Sequence, residues 1–143
     1  MEANQTKTEP SQNGKLVLIV DDKPEILKIT SAVLTHYGYT TVEAKDGYEA
    51  KTLFESFPID LVVTDIYMPL MDGLTLIGEL KLEDPDARII AMSGNSGIHY
   101  PECMEWAKAL GASFFLEKPF EITQLIDMVE IVLHESGNHF HNA

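Results

Sequence analysis

The feature that most constrains this chain is an alternation repeated five times, in which a short apolar run gives way to a longer stretch of helical period. The runs are Leu16 to Val20, Tyr39 to Ala44, Asp60 to Thr64, Arg88 to Met92 and Ser113 to Glu117. The most continuous are LVLIV and DLVVT. Strands covered on both faces read as unbroken apolar runs, and strands separated by helices pair in parallel. The intervening segments carry helix punctuation. Pro24 opens the first, with Ile26, Ile29 and Val33 expected on its buried face and Gly38 after its end. Asp46 with Glu49 makes a capping-box-like start to a second helix that runs through Phe57 and stops at Pro58. A third is expected from Gly73 to Glu83, a fourth from Pro101 to Leu110, and a fifth from Glu121 to His134 with Ile122, Leu125, Ile126 and Val129 as its buried stripe.

Five strand-helix units joined by right-handed crossovers predict a flavodoxin-like α/β fold: a doubly wound, five-stranded parallel sheet of order 2-1-3-4-5 with five helices. Ligands of such sheets sit beyond the carboxyl ends of the strands at the switch point, here between the first and third. The chain has 143 residues, which suits one domain. Residues 1–14 and 136–143 are polar and read as loose tails around a domain spanning 15–135. His139 and His141 close behind His134 read as a solvated end rather than a metal site. Gly78 interrupts the third helix, and close packing is the one reason the sequence offers for it.

With 10 basic and 23 acidic residues the chain carries a net charge of −13, the wrong sign for holding nucleic acid or an anionic membrane surface. A single cysteine, Cys103, offers no internal disulfide, and neither a leader nor a spanning segment is evident, so a cytoplasmic protein is expected.

The first strand ends in Asp21-Asp22 and the third in Asp65, so the topology gathers three carboxylates at the switch point. Ionised carboxylates so close repel one another unless they share a cation, and magnesium suits oxygen ligands combined with phosphate. Singly, Asp22 would read as a helix cap before Pro24 and Asp21 as a solvated loop residue. The fourth strand ends in Ser93 and the fifth in Lys118-Pro119, bringing a hydroxyl and an ammonium to the same rim. Alone they would be an ordinary loop serine and a surface lysine. Together with a carboxylate nucleophile and a metal they complete a set for phosphoryl transfer.

The segments VLIVDDKPEIL, DLVVTDIYMPLMDG, IIAMSG and FFLEKPF resemble the signature segments of response-regulator receiver domains of two-component systems, of the stand-alone chemotaxis-regulator kind. The resemblance covers roughly Lys15 to Glu135. It implies that Asp65 is phosphorylated from a histidine kinase or histidine phosphotransfer protein. It also implies that Asp22 and Asp65 bind Mg2+ directly, that Asp21 does so through a water, and that the Tyr67 carbonyl is a further ligand. Lys118 would pair with Asp65 or its phosphate. Ser93 would swing toward a phosphate oxygen, opening space into which Phe115 rotates and so remodelling the face of helix 4, strand 5 and helix 5. Pro119 matches the family's cis proline. Trp106 and Met104 fall on that output surface, where an unknown downstream protein or a phosphorylation-dependent dimer would form.

Gly94 stands where the family usually has alanine. Tyr67 and Asn95 occupy positions that in the family adjust access of water to the phosphoryl group, and the Tyr67 ring is expected to slow loss of phosphate. Such a domain is not a metabolic enzyme, since it catalyses only its own phosphorylation and dephosphorylation. The alternatives are a phosphorelay intermediate and a haloacid-dehalogenase-type phosphohydrolase, whose DxDxT the segment VDDKP does not match. A flavodoxin-like electron carrier would need a glycine- and hydroxyl-rich loop in place of Asp-Asp-Lys-Pro. With every site residue present, a degenerate scaffold is disfavoured. The few residues after the fifth helix leave no room for an output domain, so the signal is expected to pass through a partner.

Overall fold

A computed structural model describes residues 14–94 and 100–134. Asn95 and both tails, with His139 and His141, lie outside the described residues. The elements alternate without exception: β1 Leu16–Val20, α1 Pro24–His36, β2 Thr40–Ala44, α2 Gly47–Ser56, β3 Leu61–Asp65, α3 Gly73–Glu83, β4 Ile89–Gly94, α4 Tyr100–Leu110, β5 Phe114–Lys118 and α5 Ile122–His134. The five strands form one parallel sheet in the order β2-β1-β3-β4-β5, as the alternation predicts.

Successive side chains of a strand point to opposite faces, so each central strand feeds two cores. One contains Leu18, Val20, Val62, Ile89 and Ala91 beneath α2, α3 and α4, with Ala50, Leu76, Ile77, Leu80 and Ala107 packed against them. The other contains Val17, Ile19, Leu61, Val63, Ile90 and Met92, covered from α1 and α5 by Leu27, Leu34, Leu125, Ile126 and Val129. β3 is buried along its whole length, so Asp65 reaches the sheet end from the driest strand of the fold.

Local chemistry sets the helix starts. Asp46 accepts a hydrogen bond from the Glu49 amide at 2.8 Å while Glu49 accepts from the Lys45 amide at 2.8 Å, closing the reciprocal start of α2. Asp72 caps α3 in the same way through the Thr75 amide at 2.8 Å.

Two face assignments need correction. In α1 the buried row is Leu27, Thr30 and Leu34; Val33 packs half-buried against the same core and Ile26 is half-buried, while Ile29 is exposed. The two rows have the same spacing and differ by one residue, about 100° around the helix, and α1 is apolar enough on both for the sheet contact to decide. In α5, Ile122, the first residue of the helix, is exposed, while Leu125, Ile126 and Val129 are buried.

Gly78 also loses its packing explanation. A methyl group there would meet only Leu110 Cδ2, at 3.7 Å, which is ordinary van der Waals contact. Gly78→Ala is therefore expected to raise stability by about 1 kcal/mol through helix propensity, read from the midpoint of urea unfolding.

Candidate functional site

The sheet register aligns the strand ends. Val20 lies level with Thr64 and Asp65 with Met92, so Asp21 follows β1 at the height of Asp65, with Ser93 one step beyond. Gly94 is level with Lys118, which places the ammonium on the same rim. Strands β3, β4 and β5 each continue one or two residues past the apolar runs, so Asp65, Ser93 and Lys118 are held by the ladder itself rather than by loops.

Asp21, Asp22 and Asp65 each direct one carboxylate oxygen into a group within 4.8 Å of one another. Asp21 is fully buried and Asp65 is 3% exposed. Lys118 Nζ donates to Asp21 Oδ2 at 2.9 Å and stands 3.4 Å from Asp65 Oδ1, so its shorter bond is to Asp21. The other Asp21 oxygen accepts from the Lys23 amide at 3.0 Å. Asp22 does not cap α1, whose N-cap is Lys23 with no side-chain bond. Instead its Oδ1 is buried without a hydrogen-bond partner, and Lys23 Nζ stays 3.8 Å away.

Three carboxylates against the Lys118 ammonium and the more exposed Lys23 ammonium still leave negative charge uncompensated, and one buried oxygen lacks a hydrogen-bond donor. Both facts fit a hard divalent cation with oxygen ligands. Burial pushes the Asp65 carboxyl up from 3.8 to about 6; Lys118 opposes that rise and the Asp21 charge adds to it. For Lys118 burial works downward, but the hydrogen bond to Asp21 and the charges of Asp65 and Asp21 outweigh it and hold the ammonium protonated.

This has a consequence for stability. Asp65 binds its proton more tightly folded than unfolded, so without divalent cation the domain should lose stability as pH rises from about 4 to about 6. The loss from this one group is roughly 3 kcal/mol at most. Asp65→Asn should flatten that slope and be the more stable protein at neutral pH. Urea unfolding across this range in a chelator checks it.

Ser93 is buried, and its hydroxyl donates to the Gly94 carbonyl at 2.9 Å rather than toward Asp65. Phe115 is half-buried in the α3–α4 core opposite Ala91, where neighbouring Ala107 and Ala112 are also small. The Lys118–Pro119 bond is cis. Trp106 stands exposed on α4 and Met104 is half-buried.

Two features were not anticipated. The Tyr67 hydroxyl lies 2.8 Å from Cys103 Sγ on α4, and this bond, with burial, pushes the phenol up to about 12. Gly73 is pressed against the tip of β3: its amide donates to the Ile66 carbonyl at 2.8 Å, and a Cβ would fall 2.2 Å from the Asp65 carbonyl oxygen. The available signal was a glycine at the first helical position, just after the Asp72 cap, where helix formation gives no reason for one.

A parallel α/β domain with a buried carboxylate, a lysine and an acidic cluster holding one unpartnered oxygen at its switch point has the make-up of a phosphoryl acceptor. Residues 17–130 match the response regulator receiver domain family. The chain is 35% identical over 120 residues to the chemotaxis protein CheY of Thermotoga maritima, covering 83% of this chain and 98% of that one. It is 31% identical over 122 residues to sporulation initiation phosphotransferase F of Bacillus subtilis, covering 85% and 96%. Among solved structures it resembles the response regulator TrrA of Thermotoga maritima in complex with Mg2+ and BeF, with TM-score 0.75, 34% identity and coverage of 83% and 99%. Other relatives are longer: the chain spans 27% of the transcriptional regulatory protein GlrR of Escherichia coli, at 32% identity. The chain belongs to the response regulator receiver domain family, and its function is that of a phosphoacceptor receiver. Among the described residues no helix is long and apolar enough to cross a membrane.

Proposed function

We propose that Asp65 accepts the phosphoryl group. A carboxylate oxygen of Asp65 attacks phosphorus of a phosphohistidine, the P–O bond forms as the P–N bond breaks, and the imidazole leaves with the electron pair. The observation that carries this reading is the pairing of a buried Asp65, 3.4 Å from Lys118 Nζ, with the under-bonded Asp22 oxygen beside it. Asp22 and Asp65 would hold Mg2+ directly, with Asp21 acting through a water and the Tyr67 carbonyl as a further ligand. When bound, the ion neutralises charge on the phosphoryl oxygens.

Lys118 keeps its proton in the site and serves as the fixed cation for the phosphoryl group, while its bond to Asp21 holds it in place. Ser93 exchanges its bond to the Gly94 carbonyl for a phosphoryl oxygen, and Phe115 turns into the space bordered by Ala91. The face of α4, β5 and α5, carrying Trp106 and Met104, is thereby altered for a downstream protein or a second phosphorylated copy. The phosphodonor is a histidine kinase or histidine phosphotransfer protein in the cytoplasm, and the chemistry is self-modification rather than turnover of a metabolite.

Incubation with magnesium and acetyl phosphate should add one phosphoryl group by intact mass, and Asp65→Asn should abolish it. Equal gain by the variant, or none by either protein, defeats the reading.

A further inference from the structure

Tyr67 follows β3 two residues after Asp65, and the residue is 43% exposed. An exposed loop side chain ordinarily samples several rotamers. This one does not hang free: its hydroxyl lies 2.8 Å from the thiol of Cys103, a residue 36 positions away on α4. The two ends of that bond differ in kind. Cys103 is buried in the core beneath α3 and α4 with Ile66, Met68, Met71 and Ala107, so its sulfur is a fixed point. Tyr67 is the soft partner, and the bond sets where its ring stands at the rim of the site.

Resting on the reading of Asp65 as phosphoacceptor, we propose that Cys103 is a positioning residue for the phosphoryl site: its thiol holds the Tyr67 ring across the mouth above Asp65 and so limits access of water to the acyl phosphate. Hydrolysis requires a water in line with the P–O bond to Asp65, and a ring pinned at one end obstructs that approach where a mobile ring leaves it open part of the time. Cys103 touches neither phosphorus nor metal; it acts only through Tyr67. The bond also joins the loop after Asp65 to α4, so the lifetime of the phosphoryl group depends on where that helix sits.

The experiment follows phosphate loss from protein charged with acetyl phosphate and magnesium, after removal of the donor. Tyr67→Phe keeps the ring and removes only the hydroxyl; Cys103→Ala removes the fixed partner. Each should lose phosphate about threefold to tenfold faster than the parent, the factor set by one neutral hydrogen bond. Cys103→Ser, whose hydroxyl can still bond the phenol, should return the rate close to the parental value. A purely structural role for Cys103 would change unfolding midpoints but leave the rate in folded protein, and its rescue by serine, unmoved. If the parent takes up phosphate and both Tyr67→Phe and Cys103→Ala lose it at the parental rate, the proposal is overturned while Asp65 keeps its role. If the parent takes up none, the phosphoacceptor reading fails and this proposal with it.

Discussion

Gly73→Ala should destabilise the domain by about 3 kcal/mol and lower the rate of phosphoryl uptake on the order of a hundredfold. A Cβ at this position would lie 2.2 Å from the Asp65 carbonyl oxygen, 2.7 Å from Ile66 Cα and 3.0 Å from the Asp65 carbonyl carbon. All three are backbone atoms, so no rotamer change relieves the clash. Either α3 is pushed off the sheet, breaking the Gly73 amide bond to Ile66, or the tip of β3 shifts and carries Asp65 with it. In the second case the carboxylate leaves its register with Met92 and its place beside Asp21 and Asp22. Displacement of about 1 Å is enough to cost two orders of magnitude in a positioned reaction. The control lies in the same helix, since Gly78→Ala adds the same methyl where there is room and should be stabilising. Urea unfolding and the initial rate of phosphorylation measure the two effects. A Gly73→Ala protein as stable and as reactive as the parent would show that the tip of β3 is not clamped by α3.

The contrast between the two glycines shows what the sequence discloses. Strand positions were legible because LVLIV and DLVVT are covered on both faces and leave little doubt about burial. The site was legible because polar residues followed directly on those runs: Asp21, Asp22, Asp65, Ser93 and Lys118 needed only the topology to bring them together. Strand ends were less so. Ser93 and Lys118 sit inside β4 and β5, because backbone pairing continues where the apolar pattern stops. The buried row of α1 was displaced by one residue, since Ile26, Ile29 and Val33 compete with Leu27, Thr30 and Leu34 on equal spacing. The Tyr67–Cys103 bond and the pressure on Gly73 depend on how closely two elements approach, which no periodicity encodes.

Lys118→Met tests the electrostatic half of the site. Lys118 is 20% exposed along its side chain, while Asp21 and Asp65 are 0% and 4% exposed, so both ion pairs are largely out of water. Removing one partner of a buried pair leaves the other charge without compensation, and here two carboxylates lose the same cation. In a chelator at neutral pH the variant should be less stable than the parent by about 3 kcal/mol. Asp65 should meet part of the loss by holding its proton to still higher pH, because the attraction that opposed burial has gone. Two additions should restore stability. Asp65→Asn in the Lys118→Met background removes one of the stranded charges, so the double variant should be more stable than Lys118→Met alone, with a coupling that a double-mutant cycle measures. Millimolar magnesium should stabilise Lys118→Met more than it stabilises the parent, since the ion then enters a more negative site and binding to the folded state adds directly to its stability. Urea unfolding of the four proteins, with chelator and with magnesium, gives every quantity. If Lys118→Met unfolds with the parent, or magnesium shifts both equally, Lys118 is not the cation that balances Asp21 and Asp65.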